Sequence, residues 1–398
     1  MNRAPVYLHQ LGIVCAAGSN GEEVLSRVQA GDPDCLTMTR QYSPSSTLPL
    51  GVVNSTLAPL DSFAKGERSR CNQLLKAAMD QLQPAFEQAR QSVPSHRIGI
   101  VLGTSTSGIA EGELAIAQQQ ASGAMPTDYQ YSQQEMSAPV DCLAGWLGVT
   151  GPAYVISTAC SSSAKALASA RRLLRMGACD LVIAGGVDSL CQLTVNGFMA
   201  LDSVSSQRCQ PFSQSRDGIN IGEGAALFML SREPGPVTLA GVGECSDAHH
   251  ISAPEPNGLG AAMAMQLALA DADVQAEQIG YVNLHGTATP QNDKMESLAV
   301  ANTLGCETRC SSTKPYTGHS LGAAGAIEAA ICWLTLTQPQ RDEGMCLPPH
   351  LWDETVDPEL APISLTTKTS AVEQLDYVMS NSFAFGGNNI SLILGAGG

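Results

Sequence analysis

Short strand-like runs alternate with alanine-rich helical runs along the whole chain, and this alternation limits the possible folds more than any other feature. The candidate strands are Ile98–Gly103, Ala153–Ser157, Leu181–Ala184, Ala225–Leu230, Val237–Gly243, Tyr281–Leu284 and Ile390–Leu394. The candidate helices are Gln73–Ala89, Ala159–Met176, Gly258–Ala270, Asp293–Thr303 and Gly322–Thr335. Because alternating strands and helices build layers of sheet and helix, the sequence predicts an α/β fold.

Two pairs of segments in the chain resemble each other. VLGTSTSG at 101–108 is similar to NLHGTATPQ at 283–291, since each is a strand that runs into a Gly-Thr turn. STACSSSAKALASA at 157–170 is similar to STKPYTGHSLGAAGAIEAA at 312–330, since each is Ser-Thr followed by a turn and a small-residue helix. The repetition favours a duplicated α/β unit.

The segment 231–236, which contains two prolines and a glycine, is the best candidate boundary between the duplicated units. We therefore predict two α/β halves, residues 1–232 and 233–398. In such an arrangement the related turns become neighbours near a pseudo-twofold axis, so residues far apart in sequence can meet there.

Composition limits the partners and the location of the protein. Of the 398 residues, 44% are hydrophobic and 15% are charged, so the chain can bury a large core. No apolar run is long enough to span a bilayer, and the N-terminal MNRAPVYLHQLGIV lacks the flanks of a signal peptide. We expect a cytoplasmic protein that does not bind membranes. A net charge of −16 also argues against nucleic acid as a main partner.

Thirteen cysteines raise the question of disulfides or a metal site. No CxxC pair occurs, and Cys306 and Cys310 have no second ligand pair at zinc-finger spacing. Without a secretory signal, reduced thiols packed as small hydrophobic groups are expected. We therefore predict no metal site.

Cys160 occupies a special position, where the strand-like run Tyr154–Ile156 stops and a helical pattern begins. A thiol there faces the unpaired N–H groups and the positive end of a helix. Both favour the thiolate, which is the nucleophilic form of cysteine. An arbitrary cysteine is more often a buried structural residue, so the assignment depends on the motifs elsewhere in the chain.

Three further motifs carry residues suited to catalysis. A single histidine is more often structural than catalytic, but two histidines beside glycine-rich turns, with a lysine five positions before one of them, form an unusual set. The motifs are LHGTATPQND with His285, STKPYTGHSLGAAG with Lys314 and His319, and NSFAFGGNN with Phe383, Phe385, Gly386 and Gly387.

In this order, the four motifs resemble those of the β-ketoacyl-acyl-carrier-protein synthases of the elongating type I/II, which are condensing enzymes of the thiolase superfamily. The resemblance extends to LGTSTSGIAEG near residue 105, PFSQSRDGINIGEGAAL near 220 and SDAHHISAPEPNGLGA near 255. It implies a thiolase-like fold with two duplicated halves in α-β-α-β-α layers. It also implies decarboxylative Claisen condensation with malonyl-acyl-carrier protein, in fatty acid or type II polyketide or polyene biosynthesis, without a cofactor.

The resemblance also implies a role for each motif residue. Cys160 would hold the acyl chain as a thioester, and its N–H group with that of Phe385 would form an oxyanion hole. His285 and His319 would donate hydrogen bonds to the enolate oxygen, and Lys314 would orient this histidine pair. The gate that admits the acyl chain would consist of Phe383, Phe385 and Gly386, with Glu328 in a structural role.

The chain departs from the family pattern at three places. Ala384 stands where the gate usually has glycine, and a β-carbon there restricts φ > 0, so we expect a stiffer or differently posed gate. Asn292 replaces the usual glycine after the Thr-Pro step, which predicts a slightly altered turn near His285. The polar segment 132–136, with Gln134, is expected to shorten the acyl pocket, to which Ile109 also belongs by resemblance.

Basic residues in two regions are candidates for docking an acidic acyl carrier protein. Lys65, Arg68 and Arg70 lie where the family keeps such residues, although a solvated helix face is the alternative. Arg208 lies near another such position, but the residue directly before Pro211 is Gln210, which makes the register there doubtful.

Two other functions fit parts of the pattern. A thiolase acting on coenzyme A esters uses a second cysteine near the C-terminal glycine turn, and FAFGGNN contains none. A non-catalytic subunit of the chain-length-factor type lacks the nucleophile, whereas this chain keeps Cys160. The sequence leaves open whether the catalytic chain forms a homodimer or a heterodimer with a related subunit, and which acyl chain it carries.

Overall fold

The computed structural model describes residues 4–340 and 344–397. Its strands are β1 (Tyr7–Cys15), β2 (Thr37–Thr39), β3 (Leu48–Leu50), β4 (Ile98–Gly103), β5 (Ala153–Ile156), β6 (Leu181–Asp188), β7 (Gly224–Ser231), β8 (Val237–Ser246), β9 (Ile279–Asn283), β10 (Arg309–Ser311), β11 (Met345–Cys346), β12 (Ser364–Leu365), β13 (Ala371–Val372), β14 (Tyr377–Ala384) and β15 (Asn388–Ala396).

The α-helices are α1 (Gly21–Ala30), α2 (Arg70–Ala89), α3 (Ile109–Ser122), α4 (Ala138–Leu147), α5 (Ser162–Arg175), α6 (Gln192–Met199), α7 (Leu259–Ala272), α8 (Pro290–Leu304), α9 (Lys314–Thr317) and α10 (Ala324–Thr337). Each predicted strand and helix is present, with ends that differ by at most four residues. Within the two described ranges, no helix has the length and apolar character needed to cross a membrane.

One large sheet contains strands from both parts of the chain, in the order β12-β10-β9-β14-β15-β8-β1-β7-β6-β4-β5. The two parts of this sheet are joined by a short stretch of pairing, since β1 pairs with β8 only at Tyr7–Thr238 and Leu8–Val237. On one side lie strands that precede residue 232, and on the other side lie strands that follow residue 236. The division into domains at 1–232 and 233–398 stays a prediction, because this pairing joins the two parts.

Helices cover both faces of each part of the sheet. Helices α5 and α10 lie in the middle layer and contact strands of both parts. They pack closely, since a Cβ on Gly325 would lie 2.8 Å from the Cβ of Ala164. Helices α2 and α4 cover the outer face of one part, and α7 and α8 cover the outer face of the other. The predicted α-β-α-β-α arrangement is therefore confirmed.

The parallel strands position the candidate site. The chain reaches Cys160 shortly after the carboxyl end of β5, His285 after β9 and Lys314 after β10. Helices α5 and α10 then begin at the same edge. Because ligands of open α/β sheets bind at the carboxyl ends of the strands, this edge is where chemistry is expected.

Candidate active site

Cys160, His285 and His319 meet in the interior. Sγ of Cys160 lies 2.9 Å from Nε2 of His319. The rings of the two histidines stand edge to face with centroids 5.5 Å apart. All three side chains are buried. The meeting of residues from the related turns, which the internal similarity suggested, is thus present in the structure.

The turns that carry these three residues each contain a residue with an uncommon backbone conformation. Ala159, Ala288 and Leu321 have φ values of 53°, 66° and 50°, in the left-handed region that a β-carbon disfavours. Each such residue costs about 1–3 kcal/mol, and residues of this kind cluster at functional sites. Ala159 directly precedes Cys160, so this strain lies at the nucleophile itself.

The thiol of Cys160 is neutral in this site. Burial raises the pKa of Cys160 to about 12, although the positive charge of Lys314 and the backbone N–H groups of Phe385 and Cys160 favour the thiolate. The N–H groups near Cys160 favour the thiolate, as expected, but desolvation outweighs them, and α5 begins only at Ser162. The two N–H groups that act on the sulfur belong to the predicted oxyanion hole.

Both histidines are neutral as well. Burial, followed by the positive charge of Lys314, lowers the pKa of His285 and of His319 well below the usual range. Nζ of Lys314 lies 3.4 Å from Nδ1 of His285, so the ammonium donates there and the imidazole proton resides on Nε2. Nδ1 of His319 has no hydrogen-bond partner in the described structure, so both tautomers of its ring fit.

Lys314 and Glu328 form a buried ion pair behind the histidines. Nζ of Lys314 contacts Oε1 of Glu328 and the carbonyl oxygen of His285, and both charged side chains are 2% exposed. Burial raises the pKa of Glu328 to about 6, although Lys314 opposes this shift. Lys314 thus holds His285, and no hydrogen bond between Lys314 and His319 occurs among the described residues.

Two acidic residues of α8 that the sequence analysis did not select brace the His285 turn. Glu296 accepts hydrogen bonds from the N–H groups of His285 and Gly286, each at 2.7 Å. Asp293 accepts from the N–H group of Ala288 at 3.2 Å. The sequence could have indicated Asp293 and Glu296 by their position near the start of a predicted helix, where carboxylates are favoured. Asn292 lies in the same first turn of α8, and the slightly altered turn expected near His285 stays a prediction.

The predicted gate is the tip of the hairpin that joins β14 to β15. Gly386 and Gly387 have φ values of 82° and 73°, a conformation that favours glycine. Ala384 ends β14, pairs with Asn388 and does not have positive φ, so its β-carbon imposes no strain here. A stiffer or differently posed gate therefore stays a prediction, without support from backbone strain at Ala384.

The two gate phenylalanines face different neighbours. The ring of Phe383 lies 6.1 Å from that of His285, centroid to centroid, and is buried. The ring of Phe385 lies 5.6 Å from that of Phe198 in α6. The gate is attached to a neighbouring loop, since the N–H group of Gly386 donates to the carbonyl oxygen of Ile251 at 2.8 Å.

A cavity of about 370 Å³ opens onto the three reactive side chains, and Phe198, Phe383 and Phe385 form part of its wall. Ile109 and Gln134 do not line it. Ile109 begins α3, and the side chain of Gln134 lies against Gly112 of that helix. Their role in an acyl pocket stays a prediction.

The predicted docking residues differ in how exposed they are to a carrier protein. Lys65 and Arg68 are exposed, and Arg68 donates to the carbonyl oxygens of Phe63 and Asp61. Arg70 instead binds the fully buried carboxylate of Glu223 at 2.6 Å. A guanidinium committed to a buried partner is not available to a carrier protein, so Arg70 leaves the candidate set. Arg208 is half-buried.

Comparisons with known proteins agree on one family. Residues 28–234 match the β-ketoacyl synthase N-terminal domain, and residues 237–341 match its C-terminal domain. The 3-oxoacyl-[acyl-carrier-protein] synthase 2 of Staphylococcus aureus is 32% identical, over 84% of this chain and 86% of that protein.

Solved structures resemble the chain over nearly its full length. A ketosynthase (ApeO), solved in complex with its chain length factor (ApeC) from Xenorhabdus doucetiae, is 42% identical with a TM-score of 0.93, covering 99% of this chain and 98% of that one. A β-ketoacyl synthase from Burkholderia phymatum is 30% identical with a TM-score of 0.87, covering 99% of both chains.

Proposed function

The chain belongs to the β-ketoacyl synthase family, and from this we propose that it condenses an acyl chain held on Cys160 with a malonyl group on an acyl carrier protein, with loss of carbon dioxide. The observation that carries this proposal is the buried contact of Cys160 with His319, beside a His285 whose proton resides on Nε2. The site provides a nucleophile and hydrogen-bond donors for an enolate.

In the first half-reaction, Sγ of Cys160 attacks the thioester carbonyl of the acyl carrier. Because the thiol is neutral, its proton must leave as the carbon–sulfur bond forms, and Nε2 of His319 is the base within reach at 2.9 Å. The N–H groups of Cys160 and Phe385 stabilise the oxyanion. The proton passes to the carrier thiol, which departs and leaves an acyl-cysteine thioester.

In the second half-reaction, the malonyl carboxylate leaves as carbon dioxide and its bonding electron pair forms an enolate. Nε2–H of His285 donates to the enolate oxygen, and His319 supplies a second donor in the tautomer with its proton on Nε2. The enolate carbon then attacks the acyl carbonyl and expels the thiolate of Cys160. That thiolate takes up one proton from solvent, which reaches it through the open cavity, and the β-ketoacyl carrier is two carbons longer.

Cys160, His285 and His319 could alternatively bind a metal ion. Their ligand atoms all lie within 4.8 Å of one another. However, the ammonium of Lys314 contacts His285 directly, and a second cation there would meet its repulsion in a buried site. We therefore favour the catalytic assignment.

We propose that the chain works as a heterodimer with a ketosynthase-like subunit in a type II polyketide pathway. Support comes from its 42% identity to the Xenorhabdus doucetiae ketosynthase, which was solved with a chain length factor. The segment from α3 to α4 also exposes Leu114, Ile116, Met125, Tyr131 and Met136, an apolar surface that a partner would cover.

A cytoplasmic location fits the free cysteines.

Light scattering on the purified chain distinguishes the possible assemblies. A homodimer of about twice 41.5 kDa would support the fatty acid synthase type instead, whereas a lone chain that dimerises only with a co-expressed partner supports the heterodimer.

The reaction itself is tested by mixing the enzyme, with its partner where one is needed, with acyl and malonyl carriers. We expect carbon dioxide and a β-ketoacyl carrier two carbons longer, and neither with Cys160→Ala. Absence of both products from the wild-type complex, with a panel of acyl chains, would contradict the proposal.

A further inference from the structure

His350 is a buried imidazole located behind the active site. It is 6% exposed and is not part of the cavity wall. Its Nδ1 accepts a hydrogen bond from the N–H group of Ser312 at 3.1 Å, and its Nε2 lies 2.8 Å from the carbonyl oxygen of Pro211. Because one partner is a donor and the other an acceptor, the ring is neutral with its proton on Nε2.

The first partner of His350 links two parts of the candidate machinery. Oγ of Ser312 donates to the carbonyl oxygen of Gly286 at 2.7 Å and accepts from the N–H group of Lys314 at 3.3 Å. Ser312 therefore ties the turn that carries His285 to the turn that carries Lys314. His350 fixes the backbone of Ser312 from behind.

The second partner of His350 leads to the same turn by another route. Pro211 precedes Phe212, whose N–H group donates to Oδ2 of Asp293 at 2.8 Å. A Cβ on Gly286 would lie 3.0 Å from the ring of Phe212, so this ring lies close beside the turn that follows His285 and leaves no room for a side chain there. Phe212 itself has a φ of 60°, which needs support from its surroundings.

We propose that His350 is a positioning residue for the decarboxylation half-reaction, because it clamps the Ser312 and Pro211 segments around the His285 turn. This inference rests on the proposed function. His350 touches neither substrate nor the reacting atoms, and it acts through Ser312 on Lys314 and His285. Its bond to Ser312 is the one that reaches both of these residues.

Three substitutions separate the two bonds of His350. His350→Asn places an amide oxygen near the position of Nδ1, where it can still accept the hydrogen bond from the N–H group of Ser312. Gln can reach Pro211 with its amide nitrogen but leaves the Ser312 N–H group without its acceptor. Leu removes both bonds. His9→Leu is a matched control, because the ring of His9 bonds only to Ser231 among the hydrogen bonds described.

The measurements are malonyl-carrier decarboxylation without an acyl primer, acylation of Cys160 by intact mass, and thermal unfolding. A small displacement of catalytic groups can cost about 100-fold, so we expect His350→Leu and His350→Gln to lose about 10- to 100-fold in decarboxylation. Acylation should stay within about threefold of wild type in all variants, since Cys160 and His319 lie outside the clamp. His350→Asn should recover most of the decarboxylation rate.

The inference is overturned by either of two results. In one, His350→Asn decarboxylates as slowly as His350→Leu although it unfolds at the wild-type temperature. In the other, both half-reactions decline together in proportion to lost stability. A wild-type enzyme that neither acylates nor decarboxylates would instead contradict the proposed function, so the two failures are distinguishable.

Discussion

Nε2 of His319 lies 2.9 Å from Sγ of Cys160, although 159 residues separate them in the chain. The contact joins the turn before α5 to the turn before α10, the two helices of the middle layer. It also determines how the nucleophile works, because a buried thiol with a raised pKa needs a base beside it when it attacks.

Replacing His285 should separate the two half-reactions. His285→Ala removes a donor to the enolate oxygen, and loss of one such donor typically costs about 100- to 1,000-fold. Cys160 keeps its base in His319, so acylation should change by less than about tenfold. Rapid-quench measurements of carbon dioxide release and of acyl-enzyme formation check this. Equal loss in the two assays would argue against the enolate role.

The Lys314–Glu328 pair should behave as a unit in unfolding experiments. Lys314→Met or Glu328→Gln alone leaves its partner buried and unpaired, which should lower the free energy of unfolding by about 3–5 kcal/mol. The double variant should lose clearly less than the sum of the single losses, as urea denaturation would show. Additive losses would mean that the two groups do not stabilise each other.

Much of this arrangement was predictable from the sequence. The strand β4 and the helix α10 follow from local periodicity, and glycine-rich turns marked where His285 and His319 lie. By contrast, β14 was missed because Ser380 and Ser382 lie buried in it, so the strand lacks an apolar signal. Buried polar residues depend on partners in other segments, which local patterns do not reveal.

The ionisation of the site was the least predictable feature. The helix start after Cys160 favours the thiolate, but the sequence does not show how deeply the side chain is buried, and burial has the largest effect on its pKa. The same applies to Arg70, which was selected as a surface cation and instead binds the buried Glu223. In both cases tertiary contacts far along the chain override the local signal.

His350 should make stability depend on pH. Burial lowers the pKa of His350 from 6.5 to about 4, so below pH 6.5 the unfolded chain takes up this proton first and the folded state loses stability. The stabilisation is present above pH 6.5 and is lost as the pH falls towards 4, by about 3 kcal/mol over that range. His350→Asn removes this titration.

The difference in free energy of unfolding between wild type and His350→Asn isolates this effect. The wild-type value minus the His350→Asn value should fall by about 3 kcal/mol between pH 7 and pH 4, because other buried groups titrate in both proteins and cancel. A difference that stays constant over this range would show that the imidazole is not buried and neutral.

Carrier docking should depend on Lys65 and Arg68, the exposed members of the predicted set. Reversing both charges in Lys65→Glu/Arg68→Glu should raise KM for carrier-bound substrate by about 10-fold, and the effect should weaken at high salt. Small thioester analogues should react at the wild-type rate, because they do not use this surface.

Lys368→Glu is the control for docking. Lys368 is exposed and lies against Gly31, near the end of α1. This end of α1 lies far from the active site, since Gln29 bonds to Gln338, which follows the end of α10 opposite His319. The Lys368→Glu variant should therefore leave KM for carrier-bound substrate unchanged. If the control raises KM as much as the Lys65/Arg68 variant, overall charge rather than a docking surface is responsible.

Intact-protein mass spectrometry after incubation with an acyl carrier shows whether Cys160 is the nucleophile. We expect a single added acyl group that peptide mapping assigns to Cys160 and that is absent from Cys160→Ala. An enzyme that makes β-ketoacyl product without this adduct, or an adduct that persists in Cys160→Ala, would contradict this role of Cys160.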